Sequence, residues 1–383
     1  MLELILVRIF VLQPKDKAIE KTHSIKMLFR LSSVIAAVAL AFSGAANAAC
    51  GDGNAHGVVT GSGTFTTNVN GANVYTGSDY RLAIQTALDR VSSGQRVVVW
   101  SSGNLGANSI NVPSGRTFEV CGTINAGFKN GAGAIQIRDV NDVNVPYLKM
   151  TGNPYFGLRI SGTRNLWLGQ ITMNLSGGLG IRFDRDAAWN YNTKMDTITV
   201  TGAGSHAVEV WNIDKLDIKS VIARDCGESG LLLQRSRNIW VGNVEGHNVA
   251  AGTGYATLRF ANNNGQAADG QYTSTNVWID RVYSRGGGRG IFCVSMSGAA
   301  EIKWIDLANN GNNAVLIENC YNFAVRDGVI NGGGEVRVSA RSEFPNTSGI
   351  FFEVEVNNNS VRESPCAENI FWAITGNAKK SVC

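Results

Sequence analysis

From about residue 95 to residue 357 the chain repeats a short pattern in which two apolar residues enclose one outward-facing residue. The repeats start at Ile135, Leu158, Ile181, Val208, Leu231, Leu258, Ile291, Val315 and Val336, at spacings of 21 to 33 residues. A second apolar-x-apolar segment follows most of them, as in Val143-Asn144-Val145, Leu166-Trp167-Leu168, Leu216-Asp217-Ile218, Ile239-Trp240-Val241, Val277-Trp278-Ile279 and Phe323-Ala324-Val325. Alternation of this kind predicts strands with one face buried. No single unit is long enough to bury that face alone, so the units must stack as coils around a shared core. Successive coils then lie ~4.8 Å apart, the spacing of paired strands. Asn141, Asn165, Asn238, Asn276 and Asn322 fall at the turns, where a ladder of side-chain amides between coils is expected.

An open end of such a stack would expose strand edges and needs a cover. Ser78 or Asp79 can N-cap a helix running to about Ser92, with Leu82, Ile84, Leu88 and Val91 on its apolar side. Gly94 ends it, and Arg96 to Trp100 begins the first strand. The expected architecture is all-β, a right-handed parallel β-helix with an N-terminal segment and capping α-helix within 49–94, coils over 95–357 and an irregular C-terminal cap over 358–383. The helix region "SDYRLAIQTALDRVSSGQRVVVW" and coils such as "SGLLLQRSRNIWVGNVEGHNV" resemble the pectate-lyase-like superfamily of single-stranded right-handed β-helices. The likeness covers roughly residues 75–357. It implies action on extracellular polysaccharide, by lyases, polygalacturonases, epimerases and others, so a shared fold leaves the reaction open. Calcium is common in that superfamily, but no ligand set for it can be assigned here. Asn-Thr-Asp, Gly-His-Gly and Arg-Ile-Lys elements of polygalacturonases are absent, as is the Asp-Pro-His-Arg element of alginate epimerases.

Composition agrees with a coil-rich exported protein. Charged residues are only 17% of the chain while glycine reaches 45 residues, a balance suited to many tight turns. The net charge of +4 and the lack of any Lys/Arg run argue against nucleic acid as partner. From Met27 a signal peptide is expected, with Arg30, the apolar stretch Val34 to Phe42 and an Ala46-Asn47-Ala48 cleavage site. Residues 1–26 read as a non-native or disordered extension. No membrane association is expected beyond the signal peptide, and the mature protein is expected outside the cytoplasm. All seven cysteines follow the cleavage site, none as a CxxC pair, so disulfides are favoured over zinc. Cys50 with Cys121, Cys293 with Cys320 and Cys366 with Cys383 are candidate pairs.

Stacking turns sequence spacing into columns. The first outward position of each leading strand reads Gln136, Arg159, Arg182, Glu209, Leu232, Arg259, Phe292, Leu316. The second reads Arg138, Ser161, Asp184, Trp211, Gln234, Ala261, Val294, Glu318. Tyr155, His206 and Tyr255 precede the strands by two or three residues and should border the same face. The candidate groove therefore has Arg182, Asp184, His206, Glu209, Tyr255 and Arg259 as catalytic candidates. Tyr155, Arg159, Trp211 and Gln234 are candidate substrate contacts. Arginines bind carboxylates bidentately, which points to an acidic polysaccharide. β-Elimination would use Arg159, Arg182 and Arg259 to neutralise a uronate, and His206, Tyr255 or an Arg as base. The alternatives are ordinary surface ion pairs with Asp184, Glu209 and Asp186, hydrolysis by Asp184 and Glu209 as a carboxylate pair, or a non-catalytic glycan-binding β-helix. Trp211 suits stacking on a sugar as well as surface packing. A second set, Asp225, Glu228, Arg235, Glu245 and His247, falls in turns between coils, and a loop including Asn262 to Asp269 and Tyr272 to Thr275 should protrude beside the groove.

Overall fold

The computed structural model describes residues 49–383, so the segments expected to be a signal peptide and an extension before it lie outside the described residues. The chain forms a right-handed parallel β-helix of about twelve coils, built on two sheets. One sheet stacks twelve short strands. The other has eighteen strands, eight of them 9 to 12 residues long, such as Arg164–Leu175, Asn190–Thr201 and Ile213–Arg224.

The inward columns follow the repeat. Ile135, Leu158, Ile181, Val208, Leu231, Leu258, Ile291, Val315 and Val336 pair rung by rung in the short-strand sheet, all fully buried. In the long-strand sheet Val143, Leu166, Thr193, Leu216, Ile239, Val277, Ala300, Phe323 and Ile350 form the matching column. The strand Asn190–Thr201 escapes the apolar-x-apolar pattern because Thr193 stands where its neighbours have leucine. Most coils carry a small residue, such as Gly157, Gly180, Ala207, Gly230 or Gly290, where the chain turns into the short-strand sheet. At Gly180 an added Cβ would sit 2.3 Å from the Ala207 carbonyl oxygen of the next coil.

The polar ladder forms in part. Asn165 donates to Asp142 at 2.7 Å, Asn192 to Asn165 at 2.8 Å, and Asn238 to Asp214 at 2.6 Å. Asn165, Asn192 and Asn238 adopt the left-handed conformation that asparagine tolerates. Asn276 and Asn322 instead bond carbonyls of the 262–276 loop, at Gly265 and Tyr272.

The helix Tyr80–Arg90 covers the N-terminal end, with Asp79 accepting from the Leu82 N–H at 2.9 Å. Its buried side carries Tyr80, Ala83, Ile84, Ala87 and Leu88. Leu82 is 40% exposed, because at 100° per residue it falls opposite Ile84, not beside it. An antiparallel meander of Gly57–Ser62, Thr64–Val69 and Ala72–Gly77 completes the cover. At the other end the parallel ladder continues past residue 357. Glu368–Thr375 pairs with Ser348–Asn357 and Lys379–Ser381 with Ser360–Glu363, so ordered strands occupy the segment expected to be irregular. Disulfides join Cys50 to Cys121, Cys293 to Cys320 and Cys366 to Cys383, while Cys226 is a buried free thiol. Among the described residues no helix is long and apolar enough to cross a membrane.

Phe183 is fully buried in the inward column between Ile160 and Val210, where no solvent can fill the space it leaves. Phe183→Ala should therefore lower stability by about 3–5 kcal/mol, measured as a shift in the denaturant unfolding midpoint.

Candidate functional site

The outward face of the short-strand sheet is built in the expected register, with Gln136, Arg159, Arg182, Glu209, Leu232, Arg259, Phe292 and Leu316 as adjacent rungs of one column. At the N-terminal half of this face every cation is paired. Arg159 Nε lies 2.9 Å from Asp184 Oδ2, Arg138 Nε 3.7 Å from the same oxygen, and Arg182 Nε 3.9 Å from Asp184 Oδ1. Arg182 also pairs through Nη1 with Glu209.

Glu209 is buried and fully engaged. Besides Arg182 it accepts from Trp211 Nε1 at 2.8 Å and from Gln234 Nε2 at 2.9 Å, and Gln234 is held in turn by Asn262 at 2.6 Å. Trp211 is only 8% exposed and sits under the Arg185 guanidinium, so it offers no free face to a sugar. The Arg182 guanidinium bridges Asp184 and Glu209, so neither carboxylate stands free of a cation. The alternation gives the direction of these side chains correctly but cannot show which neighbours cover them. Tyr155 lies at the N-terminal end of the face, packed edge-on against Phe156 and the 55%-exposed Phe128, away from His206 and Tyr255.

The turn entering the sheet holds a different set. His206 accepts the Ser229 N–H at Nδ1 (2.9 Å) and has Nε2 3.0 Å from Glu228 Oε2. The first contact makes Nε2 the protonated nitrogen of the neutral ring, which then donates to Glu228. Glu228 also accepts from Ser205 Oγ at 2.5 Å and has no arginine partner. Burial pulls the His206 pKa below its ordinary 6.5, with Glu209 and Glu228 opposing the shift. The Tyr255 ring packs edge-on against His206 at 5.1 Å, reaching across the small Ser229 rung.

Arg259 covers Tyr255, its guanidinium 4.7 Å from that ring centroid and 5.1 Å from Phe292. Arg289 lies over the other side of the cluster, 4.5 Å from the Phe292 centroid. It bonds only neutral partners, Asn313 Oδ1 at 3.1 Å and the Gly254 carbonyl. Among the described residues neither guanidinium has a carboxylate within ion-pair distance, and Arg259 Nε is buried without a partner. Burial lowers the pKa of both, and Arg259 itself adds to the effect on Arg289. Both remain charged, as arginine does in proteins.

Glu228 and Arg289 belong to this site although the sequence reading put Glu228 in the second cluster and did not single out Arg289. The signal was their offset. Glu228 stands three residues before Leu231, as Tyr255 does before Leu258, and Arg289 stands two before Ile291, as His206 does before Val208. The rest of the second cluster lies elsewhere. Glu245 bonds Arg224 at 2.9 Å and His247 at 2.7 Å on the long-strand sheet, Asp225 holds Asn248 at 2.8 Å, and Arg235 faces Trp189. Calcium takes six to eight oxygens, and among the described residues Glu228 is the groove carboxylate without an arginine at ion-pair distance. The one cluster with metal-binding distances among the described residues, Cys50, Glu119 and Cys121, has both sulfurs in a disulfide.

No family model matches the sequence, and no curated protein matches it. Among solved structures, the Yersinia enterocolitica family 28 exopolygalacturonase is similar at 10% identity over 83% of this chain and 80% of that one, with a TM-score of 0.47. So distant a likeness carries no functional weight.

Two outcomes test the electrostatics. Arg182→Met should destabilise by about 3 kcal/mol because it strands buried Glu209, and adding Glu209→Gln should restore part of the loss in a denaturant-melt cycle. For His206 the folded pKa lies below the unfolded 6.5, so the unfolded chain takes up the proton first. Stability should fall as pH drops below 6.5, and His206→Gln should flatten that part of the Tm-against-pH curve.

Proposed function

We propose that the protein is a secreted polysaccharide lyase that cleaves a uronic-acid polymer by β-elimination in the groove of the short-strand sheet. The observation that carries this reading is the pair of guanidinia, Arg259 and Arg289, that flank Phe292 without a carboxylate while Arg138, Arg159 and Arg182 are all paired. Two unpaired like charges repel, and a uronate carboxylate placed between them relieves that repulsion.

In this reading Arg259 and Arg289 neutralise the carboxylate and so acidify the neighbouring C5 proton. Tyr255, beneath Arg259, relays the proton: its oxygen takes the C5 proton while its hydroxyl proton passes to the C4 oxygen as the C4–O bond breaks. The products are an unsaturated uronide and a new chain end. Glu228, oriented by His206 and Ser205, accepts hydrogen bonds from sugar hydroxyls. Hydrolysis by a carboxylate pair is the second reading. It is disfavoured because Asp184 and Glu209 are committed to Arg159, Arg182, Trp211 and Gln234, which leaves Glu228 as the one groove carboxylate without an arginine.

The test incubates purified protein with polygalacturonate, alginate and glucuronan and follows the ultraviolet absorbance of unsaturated ends alongside total reducing ends. Absorbance rising with reducing ends is expected, and reducing ends alone would establish hydrolysis instead. Tyr255→Phe should lower kcat by about 10²-fold or more, whereas Glu228→Gln should act chiefly on KM.

A further inference from the structure

The long-strand sheet presents an outward column unrelated to the groove. Asn144, Trp167, Lys194, Asp217, Trp240, Trp278 and Glu301 occupy successive rungs. Trp240 and Trp278 are 38% and 39% exposed, high for indoles in a folded protein. Two residues after Trp240 the strand has Gly242, and a Cβ there would lie 3.1 Å from the indole Cη2. The missing side chain lets the Trp240 ring lie down along the sheet and turn a flat face outward.

Toward the N-terminal side the same column opens into a cleft of about 380 Å³ lined by Asn144, Trp167, Lys194, Asp196, Asp217 and Lys219. Trp167 is fixed there by its Nε1, which donates to Asp196 Oδ2 at 3.0 Å, and Lys219 pairs with Asp196 at 2.9 Å. Lys194 and Asp217, adjacent in register, have no ion-pair partner among the described residues. Along the axis of the solenoid a donor and an acceptor, Lys194 and Asp217, thus stand between Trp167 on one side and the exposed pair Trp240 and Trp278 on the other.

That arrangement selects the occupant. A second protein copy would bring a contiguous apolar core with few charges, and here Lys194 and Asp217 interrupt the aromatic faces. A polyanion would call for net positive charge, and the cleft holds two lysines against two aspartates. A pyranose ring has an apolar C–H face and a rim of neutral hydroxyls, which matches both parts. The geometry points to a second carbohydrate site, on the sheet outside the groove, that binds a neutral pyranose polymer laid along the coils from Trp167 to Trp278. It acts as an anchor and makes no bond to the glycan.

The test is affinity electrophoresis of the full mature chain in gels containing xylan, galactan, mannan or polygalacturonate, with sedimentation to give the oligomeric state. At least one neutral gel should retard the wild type. Trp240→Ala/Trp278→Ala should weaken that retardation about tenfold, the equivalent of ~1.4 kcal/mol, and Trp240→Phe/Trp278→Phe should restore much of it. Unfolding midpoints should be unchanged, since both rings are at the surface. Arg259→Ala/Arg289→Ala should leave neutral binding intact, which separates failure of this site from failure of the lyase reading. The proposal is overturned if no neutral polymer retards the wild type, if the alanine double variant is retarded equally, or if that variant changes only self-association.

Discussion

The rest of the molecule depends on the parallel hydrogen-bonded ladder between coils. It fixes the rise at ~4.8 Å and holds equivalent residues in register, so Leu158, Ile181 and Val208 stack on one another and so do Arg159, Arg182 and Glu209. A local sequence choice therefore becomes a spatial column. The same tightness restricts the corners, where Gly180 and its counterparts leave space for the carbonyl of the next coil. A scaffold this constrained places side chains with little freedom to adjust, and that suits a site whose ligand is a polymer with its own repeat.

Along the groove the decisive contrast is between cations that have partners and cations that lack them. Arg159 and Arg182 share Asp184 and Glu209 and behave as structure: removing one member strands the charge of another. One step further along the column Leu232 and Phe292 replace the acids, and Arg259 and Arg289 rest on aromatic faces in their place. Cation–π contact lowers the cost of burying a guanidinium but does not cancel its charge. The field at that point remains positive, beside Tyr255 and Glu228. The elimination proposed above, which starts by stabilising a carboxylate, draws on that pair of cations.

Much of the fold was legible because the core repeats: the apolar-x-apolar spacing places the nine inward rungs from Ile135 to Val336 of the short-strand sheet, though not Ile110 before them or Val361 after them, and the outward columns follow from alternation. Three kinds of information were not legible. The strand Asn190–Thr201 hides behind Thr193, a buried polar residue at a rung where its neighbours are leucines, its hydroxyl without a hydrogen-bond partner among the described residues. Burial of outward residues depends on what lies across the face, so Trp211 looked like a sugar platform and is covered instead, held by its hydrogen bond to Glu209. The turns vary in length between coils, so charged residues there resist alignment. Glu228 was visible as a turn carboxylate, but only the fold shows that His206 meets it from the preceding coil.

The two faces of the solenoid differ in a way that constrains how a chain could use both. In the groove, Arg259 and Arg289 have no ion-pair partner among the described residues, with Glu209, Glu228 and Glu318 acting on them from further off, so recognition there weakens as salt screens it. The proposed site on the long-strand sheet combines Trp240 and Trp278 with a balanced set of lysines and aspartates, and stacking on indoles is insensitive to ionic strength. Because both columns run along the same axis on one rigid body, neither can move to accommodate the other. A polymer held on the indoles would leave the groove free, and would raise the local concentration of any acidic chain embedded in the same matrix.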